Sequence, residues 1–371
     1  MTTKVSREVI WNFPKADLHR HLDGAIKPEV LFRLAKQTGV KLPTDDPEKF
    51  KGLYQIIKPK GMPIEDLFKR FAWAIAVMRT PEGLEEVAYQ QVLDLAQENI
   101  KYAEIRFAPG YHSTYPAPWY KPSEYESKLF PVMSLRHVAG HVLNGLDQGM
   151  KETGIEVNLT LCIPRESLAL YGSVCVDEVI RLATEFKGEG VMAVDLCSDE
   201  YTYPPGPYVG WFAKLRQRGL YSDPHAGEMG HDEYRLQNIR TCLEEFRADG
   251  LGHALPIWKS EYLMEKVRQR NIRIERTPLS PVPGCSLADG HLGVLLENRV
   301  PVTIASDDPI LMQASLTKNI GAALDYHNFG ERELHILTAN AVNTGFYRNE
   351  AQKMRVRELF TKDGLDPQLL R

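Results

Sequence analysis

The chain has 371 residues, 43% hydrophobic and 25% charged, the composition of an ordinary globular protein with enough apolar residues for a sizeable core. Lys plus Arg at 45 against Asp plus Glu at 49 leaves a formal net charge of −4. That balance excludes a general electrostatic pull toward nucleic acid or an anionic membrane and favours small-molecule chemistry.

Cys162, Cys175, Cys197, Cys242 and Cys285 are widely spaced and free of C-x-x-C, so neither a disulfide framework nor a thiolate metal site is expected. The opening Met1-Thr2-Thr3-Lys4-Val5 has no signal-peptide apolar core, and no later stretch is long and apolar enough to span a bilayer. A reducing, cytoplasmic setting is the expectation.

Along the chain, short β-rich runs alternate with longer helical patterns, as in a parallel sheet with crossover helices. The runs fall near 16–21, 102–108, 156–163, 191–196, 221–225, 250–253, 271–276 and 300–306. Eight parallel strands, each followed by helix, is the number that closes a TIM (β/α)8 barrel. Between the first two runs lie about 80 residues, far more than one crossover needs. Helices predicted near 28–38, 64–77 and 81–99 therefore include a cap over the barrel mouth. In the last of these, Thr80 suits the N-cap and Pro81 the first turn, while Leu84, Val87, Ala88, Val92, Leu95 and Ala96 form an apolar stripe. No linker, repeat or low-complexity tract divides the sequence, so residues 1–371 are expected to form a single domain.

His19 and His21 are one residue apart near the end of the first run. A strand sends alternate side chains to one face, so the pair offers two imidazoles to one metal. Further on come His225 in His225-Ala226-Gly227-Glu228, His253 in Gly252-His253-Ala254, and Asp307-Asp308-Pro309 after an apolar run. Together these supply neutral nitrogens and carboxylates suited to a single zinc, with acids and a base to spare. They also end the first, fifth, sixth and eighth runs, and functional residues of a TIM barrel sit at the C-terminal ends of its strands.

This ordered series resembles the adenosine deaminase family of the amidohydrolase superfamily, over nearly the whole chain. The similarity is carried by His19-Arg20-His21-Leu22-Asp23-Gly24-Ala25, Glu104-Ile105-Arg106-Phe107-Ala108-Pro109, Asp195-Leu196-Cys197-Ser198-Asp199-Glu200, His225-Ala226-Gly227-Glu228, Gly252-His253, Ser306-Asp307-Asp308-Pro309 and Asn340-Ala341 with Phe346. The resemblance implies one zinc per chain, held by His19, His21, His225 and Asp307. It implies Glu228 as proton donor to N1 of a purine and His253 as the group that orients and deprotonates the attacking water. Asp308 would contact N7, the backbone at Ser198 the N3 side, and Asp23 a ribose 5′-hydroxyl.

The chemistry asks for the same residue types. Displacing ammonia from an aromatic C6 needs a nucleophile stronger than water, which zinc supplies by lowering the pKa of coordinated water to about 7. Attack pushes charge onto a ring nitrogen, so an acid must deliver a proton there, and Glu228 needs a raised pKa to be that acid. Some positions depart from the family pattern. Ser198 stands where a glycine is usual, Gly250-Leu251-Gly252-His253-Ala254 replaces Arg-Ile-Gly-His-Gly, and Thr277-Pro278-Leu279-Ser280-Pro281 replaces Cys-Pro-x-Ser-Asn. These departures bear on pocket shape rather than on a catalytic group.

The expected reaction is hydrolytic deamination of adenosine, and of 2′-deoxyadenosine, to the inosine products. A modified 6-aminopurine nucleoside, aminofutalosine-type or N6-substituted, is the first alternative, and a catalytically silent binding or growth-factor-like relative the second. His137 and His141 have metal-capable i,i+4 spacing but lack the Glu of H-E-x-x-H and a third ligand, and are assigned to structure. The H-x-E with P-C-x-x-C signature of cytidine-type deaminases is absent, as is a phosphate-binding P-loop.

Overall fold

The computed structural model describes residues 4–56, 64–118, 120, 132–281, 285–288 and 290–370, with the side chains of 64–69 excepted. Among the described residues nine strands form: β1 (Lys15–His21), β2 (Ile100–Phe107), β3 (Glu156–Pro164), β4 (Val191–Cys197), β5 (Tyr221–Ser222), β6 (His225–Ala226), β7 (Gly250–His253), β8 (Arg273–Arg276) and β9 (Val302–Ile304). β1 to β5 make one sheet in chain order and β6 to β9 another, with parallel pairing throughout. Their residues are buried almost without exception, as parallel strands covered on both faces require.

Backbone hydrogen bonds join the two sheets into a barrel. On one side Asp223 N donates to Val194 O (3.0 Å), Asp249 N to Ser222 O (2.8 Å) and Gly252 N to Pro224 O (3.0 Å). On the other, Asp307 N donates to His19 O (2.8 Å) and His21 N to Asp307 O (2.9 Å), around a parallel bridge between Arg20 and Asp307. The fold is therefore the expected TIM barrel, with one difference in detail. The fifth predicted run, 221–225, is two short strands, because Asp223-Pro224 interrupts it. Pro224 has no N–H to give the ladder.

The predicted helices 28–38 and 64–77 appear as Pro28–Thr38 and Ile64–Val77, and 81–99 ends two residues early as Pro81–Gln97. Thr80 caps the last of these, its side chain accepting from Gly83 N at 3.0 Å. A short helix the sequence analysis did not single out, Pro47–Tyr54, has Pro47 in its first turn and Asp46 accepting from Glu48 N and Lys49 N. Its end is tied to the loop after β9: Gln55 Nε2 donates to Ile310 O (3.1 Å), Gln313 Nε2 to Ile56 O (3.1 Å) and Ile56 N to Leu311 O (2.8 Å). The segment between β1 and β2 is thereby fastened across the mouth. Among the described residues, no helix is long and apolar enough to cross a membrane.

Candidate active site

Four predicted metal ligands converge at the C-terminal rim of the barrel. β1 turns His19 and His21 to one side, β6 begins with His225, and Asp307 follows β9 at φ 62°. His21 Nε2 lies 3.3 Å from His225 Nε2, and Asp307 Oδ1 lies 3.6 Å from Nε2 of both His19 and His21. Ligand atoms at the corners of a tetrahedron around zinc, with bonds near 2.05 Å, would stand about 3.3 Å apart. Among the described residues His19 Nε2 is buried without a hydrogen-bond partner, which leaves it free for a cation. Burial, aided by Arg106 and the neighbouring rings, holds the His19 pKa well below the ordinary value, and burial with His225 does the same for His21. Both are thus neutral, the form that binds metal. These observations fit a zinc ion.

The other nitrogens of two ligands are spoken for. His19 Nδ1 meets Glu275 Oε2 at 2.7 Å, and His225 Nδ1 meets Asp195 Oδ1 at 3.0 Å. Such carboxylates fix ring orientation and tautomer in metal sites. Arg106 joins the two, donating to Glu275 (2.9 Å) and Asp223 (3.1 Å) and standing 3.4 Å from Asp195. Burial opposes ionisation of Asp195, yet His225 and Arg106 hold it well below the carboxylate range. Gly252 leaves the room this arrangement needs, since a Cβ there would come within 2.8 Å of His19 Cε1.

Glu228 and His253 face each other, with His253 Nε2 3.4 Å from Glu228 Oε1. Glu228 is 6% exposed, so its neighbours Met229-Gly230-His231-Asp232 do not leave it a solvated loop carboxylate. Glu200 holds its turn in place, accepting from Gly227 N (2.7 Å), Glu228 N (2.8 Å) and Met229 N (3.1 Å). Burial pushes the Glu228 pKa up to about 8; His225 opposes this and Asp307 and Glu200 add to it. The protein's own packing therefore raises the pKa without a bound purine. Burial, with His225 and Arg106, keeps His253 neutral. Its Nδ1 lies 3.1 Å from Thr277 Oγ1, leaving Nε2 toward the site.

Asp23, Ser198 and Asp308 follow β1, β4 and β9 in the chain. Asp23 is 8% and Asp308 5% exposed. Burial raises Asp23 to about 6, and burial together with Asp307 and Asp23 raises Asp308 well above the usual range. Ser198 adopts φ 78° and Ala254 φ 46°, the left-handed region in which glycine carries no Cβ penalty. Two of the positions where the family commonly has glycine are thus strained here, as backbone at functional sites often is. His137 and His141 play structural parts: His141 Nδ1 pairs with Glu85 at 2.7 Å, and His137 Nδ1 lies 3.1 Å from Ser134 Oγ.

The roles of Glu275, Thr277 and Arg106 around the ligands were not among the sequence-based expectations. For Glu275 and Arg106 the signal was charge inside a strand, as in Arg273-Ile274-Glu275-Arg276, because charged residues in a barrel wall must be paired; Thr277 carried none.

The family profile described as adenosine deaminase matches residues 14–362. Adenosine deaminase of Clostridium perfringens is 29% identical over 346 residues, covering 92% of this chain and 96% of that protein. The Bos taurus adenosine deaminase is 28% identical over 365 residues, covering 96% of each. Among solved structures, adenine deaminase from Arthrobacter aurescens superposes with a TM-score of 0.78 at 21% identity, over 94% of this chain and 98% of that one. Fold, site and relatives agree on a purine deaminase, a hydrolase acting on C–N bonds: this chain belongs to the adenosine deaminase family.

Proposed function

We propose that the protein acts as one domain binding one zinc ion through His19, His21, His225 and Asp307, and hydrolyses adenosine and 2′-deoxyadenosine to the inosine products and ammonia. The observation that carries this reading is the pairing of a buried, proton-retaining Glu228 with a neutral His253, 3.4 Å apart, beside three imidazoles and a carboxylate at zinc-ligand separations. When bound, the metal acts as a Lewis acid and makes water a nucleophile at neutral pH.

The protein's own residues supply the rest. His253, held through Nδ1 near Thr277, presents Nε2 to take a proton from water. Glu228, protonated near neutrality, gives its proton to N1 as C6 is attacked; the proton taken up by His253 leaves with ammonia, and the proton of the new C6 hydroxyl returns to Glu228 as the carbonyl forms. Asp308, protonated through burial and its acidic neighbours, donates to N7, and the Ser198 backbone N–H faces N3. Asp23 accepts from the ribose 5′-hydroxyl.

Elemental analysis and ammonia release test the proposal together. About one zinc per chain is expected, with adenosine kcat/KM well above that for adenine, AMP and N6-substituted adenosines. Asp307→Ala should lose both metal and turnover. Metal without turnover on adenosine would favour the modified nucleosides, and neither metal nor turnover would favour a binding protein.

A further inference from the structure

Beyond the ligands and the Glu228–His253 pair, one part of the mouth gathers polar groups that the described residues do not fully satisfy: Asp23 has only the backbone N–H groups of its own turn, and Asp308 and Tyr54 have less. It starts at Gly24, where a Cβ would fall on the Asp308 carboxylate. The absent side chain lets Asp308 lie against the turn that carries Asp23. Among the described residues no ion pair reaches either carboxyl, and Asp308 Oδ1 is buried without a hydrogen-bond partner.

The third member is Tyr54, the last residue of helix Pro47–Tyr54. Its ring is stacked on Phe50, with centroids 5.7 Å apart and planes 9° from parallel, and Phe50 packs in turn on Phe32 and Trp73. The side chain is wholly buried, yet among the described residues its hydroxyl has no hydrogen-bond partner. A tyrosine placed only for packing would be expected to find one. Burial, then Asp23 and Asp308, disfavour its ionisation, so the phenol is neutral and can donate. Its place is fixed by the backbone. Leu311 N donates to Gly24 O (3.0 Å) and Ile56 N to Leu311 O (2.8 Å), which laces the Asp23 turn, the Tyr54 helix and the loop after Asp308 together.

We propose that Tyr54 is a specificity-determining residue whose hydroxyl, with the Asp23 carboxylate, forms a donor–acceptor pair for the primary 5′-hydroxyl of a nucleoside. This rests on the deaminase reading above and extends it to a residue outside the family motifs. A hydroxyl is the substrate group that can give a hydrogen bond to a carboxylate and accept one from a phenol at once. Purine ring nitrogens only accept, and the exocyclic amine belongs at the Glu228 and His253 end. A 5′-phosphate would bring negative charge against two buried carboxyls, and free adenine or a 5′-deoxynucleoside would leave the pair unmet.

The test is Tyr54→Phe, which keeps the stacked ring, assayed with adenosine, 5′-deoxyadenosine and 3′-deoxyadenosine. Adenosine and 3′-deoxyadenosine should each lose ~10- to 100-fold in kcat/KM, chiefly through KM, while 5′-deoxyadenosine loses less than about threefold. Equal losses on all three, no loss on adenosine, or a loss spared only by 3′-deoxyadenosine would overturn the assignment. Should the variant fail to fold, the unmutated enzyme still decides: its preference for adenosine over 5′-deoxyadenosine must exceed about tenfold. Absence of ammonia release from every nucleoside by the unmutated, zinc-loaded protein would instead overturn the deaminase reading itself.

Discussion

Two layers of charge lie one above the other inside this barrel, and they are built on opposite principles. In the lower layer Arg106 and Arg273 sit among Glu104, Asp195, Asp223 and Glu275, all buried. Arg273 donates to Glu275 (2.7 Å), Asp223 (2.6 Å), Glu104 (2.5 Å) and Thr344 O (3.0 Å). Arg106 closes the lattice from the other side. In the upper layer, at the mouth, Asp23, Glu228, Asp307 and Asp308 are equally buried, but among the described residues no Lys or Arg forms an ion pair with them. There burial raises the carboxyl pKa values, and like charge adds to it at Glu228 and Asp308. Compensated charge holds the barrel wall and the ligand carboxylates in place. Uncompensated charge marks where a cation and a polar substrate supply what is lacking.

Breaking the lower layer should have the largest effect. Arg106→Met leaves Asp195, Asp223 and Glu275 short of a cation and should cost about 3–5 kcal/mol of stability, measured by urea unfolding. It should also lower zinc content, because the orienting carboxylates of His19 and His225 lose their common partner. Unchanged stability would show that the lattice is dispensable.

The upper layer should respond in the opposite sense. Glu228→Gln removes an acid that burial keeps protonated, so zinc and fold should remain while turnover falls ~10²- to 10⁴-fold. The linkage has a definite sign. A carboxyl whose folded pKa is about 8 against an ordinary 4.5 keeps its proton after the unfolded chain has lost it. Stability of the metal-free protein should therefore fall as pH rises between those values, and the glutamine variant should flatten that slope. A variant with full activity, or one with the same pH slope, would place Glu228 among ordinary loop carboxylates.

The smallest effect concerns backbone rather than charge. Ser198→Gly relieves a left-handed residue at the end of β4 and should stabilise the protein by about 1 kcal/mol or less, read as a small rise in Tm. A loss of stability would mean that the Ser198 side chain matters to the mouth more than its strain costs.

Much of the barrel was legible because its signals are local. Apolar runs of strand length, Thr80-Pro81 at a helix start and His-x-His on one strand face each depend on neighbours a few residues apart. The break at Asp223-Pro224 is equally legible in the proline, which an expectation of one strand over 221–225 overlooks. Asp46-Pro47 is an equally local start signal, but the helix it opens is only eight residues long.

Residue types and order in the sequence determined which side chains could hold a metal and move protons: His19, His21, His225 and Asp307, with Glu228 and His253. Strand ends fixed where along the barrel they would lie, because a parallel barrel gathers its strand C-termini at one rim. Only the tertiary structure decided how those groups are tuned. Glu275 reaches His19 across 256 positions of chain. Arg106 ties together carboxylates from three other strands and links. Tyr54 is brought toward the Asp23 turn by a cap helix laced to the loop after β9. Charge, burial and hydrogen bonding depend on distance in space, and no local pattern carries that distance.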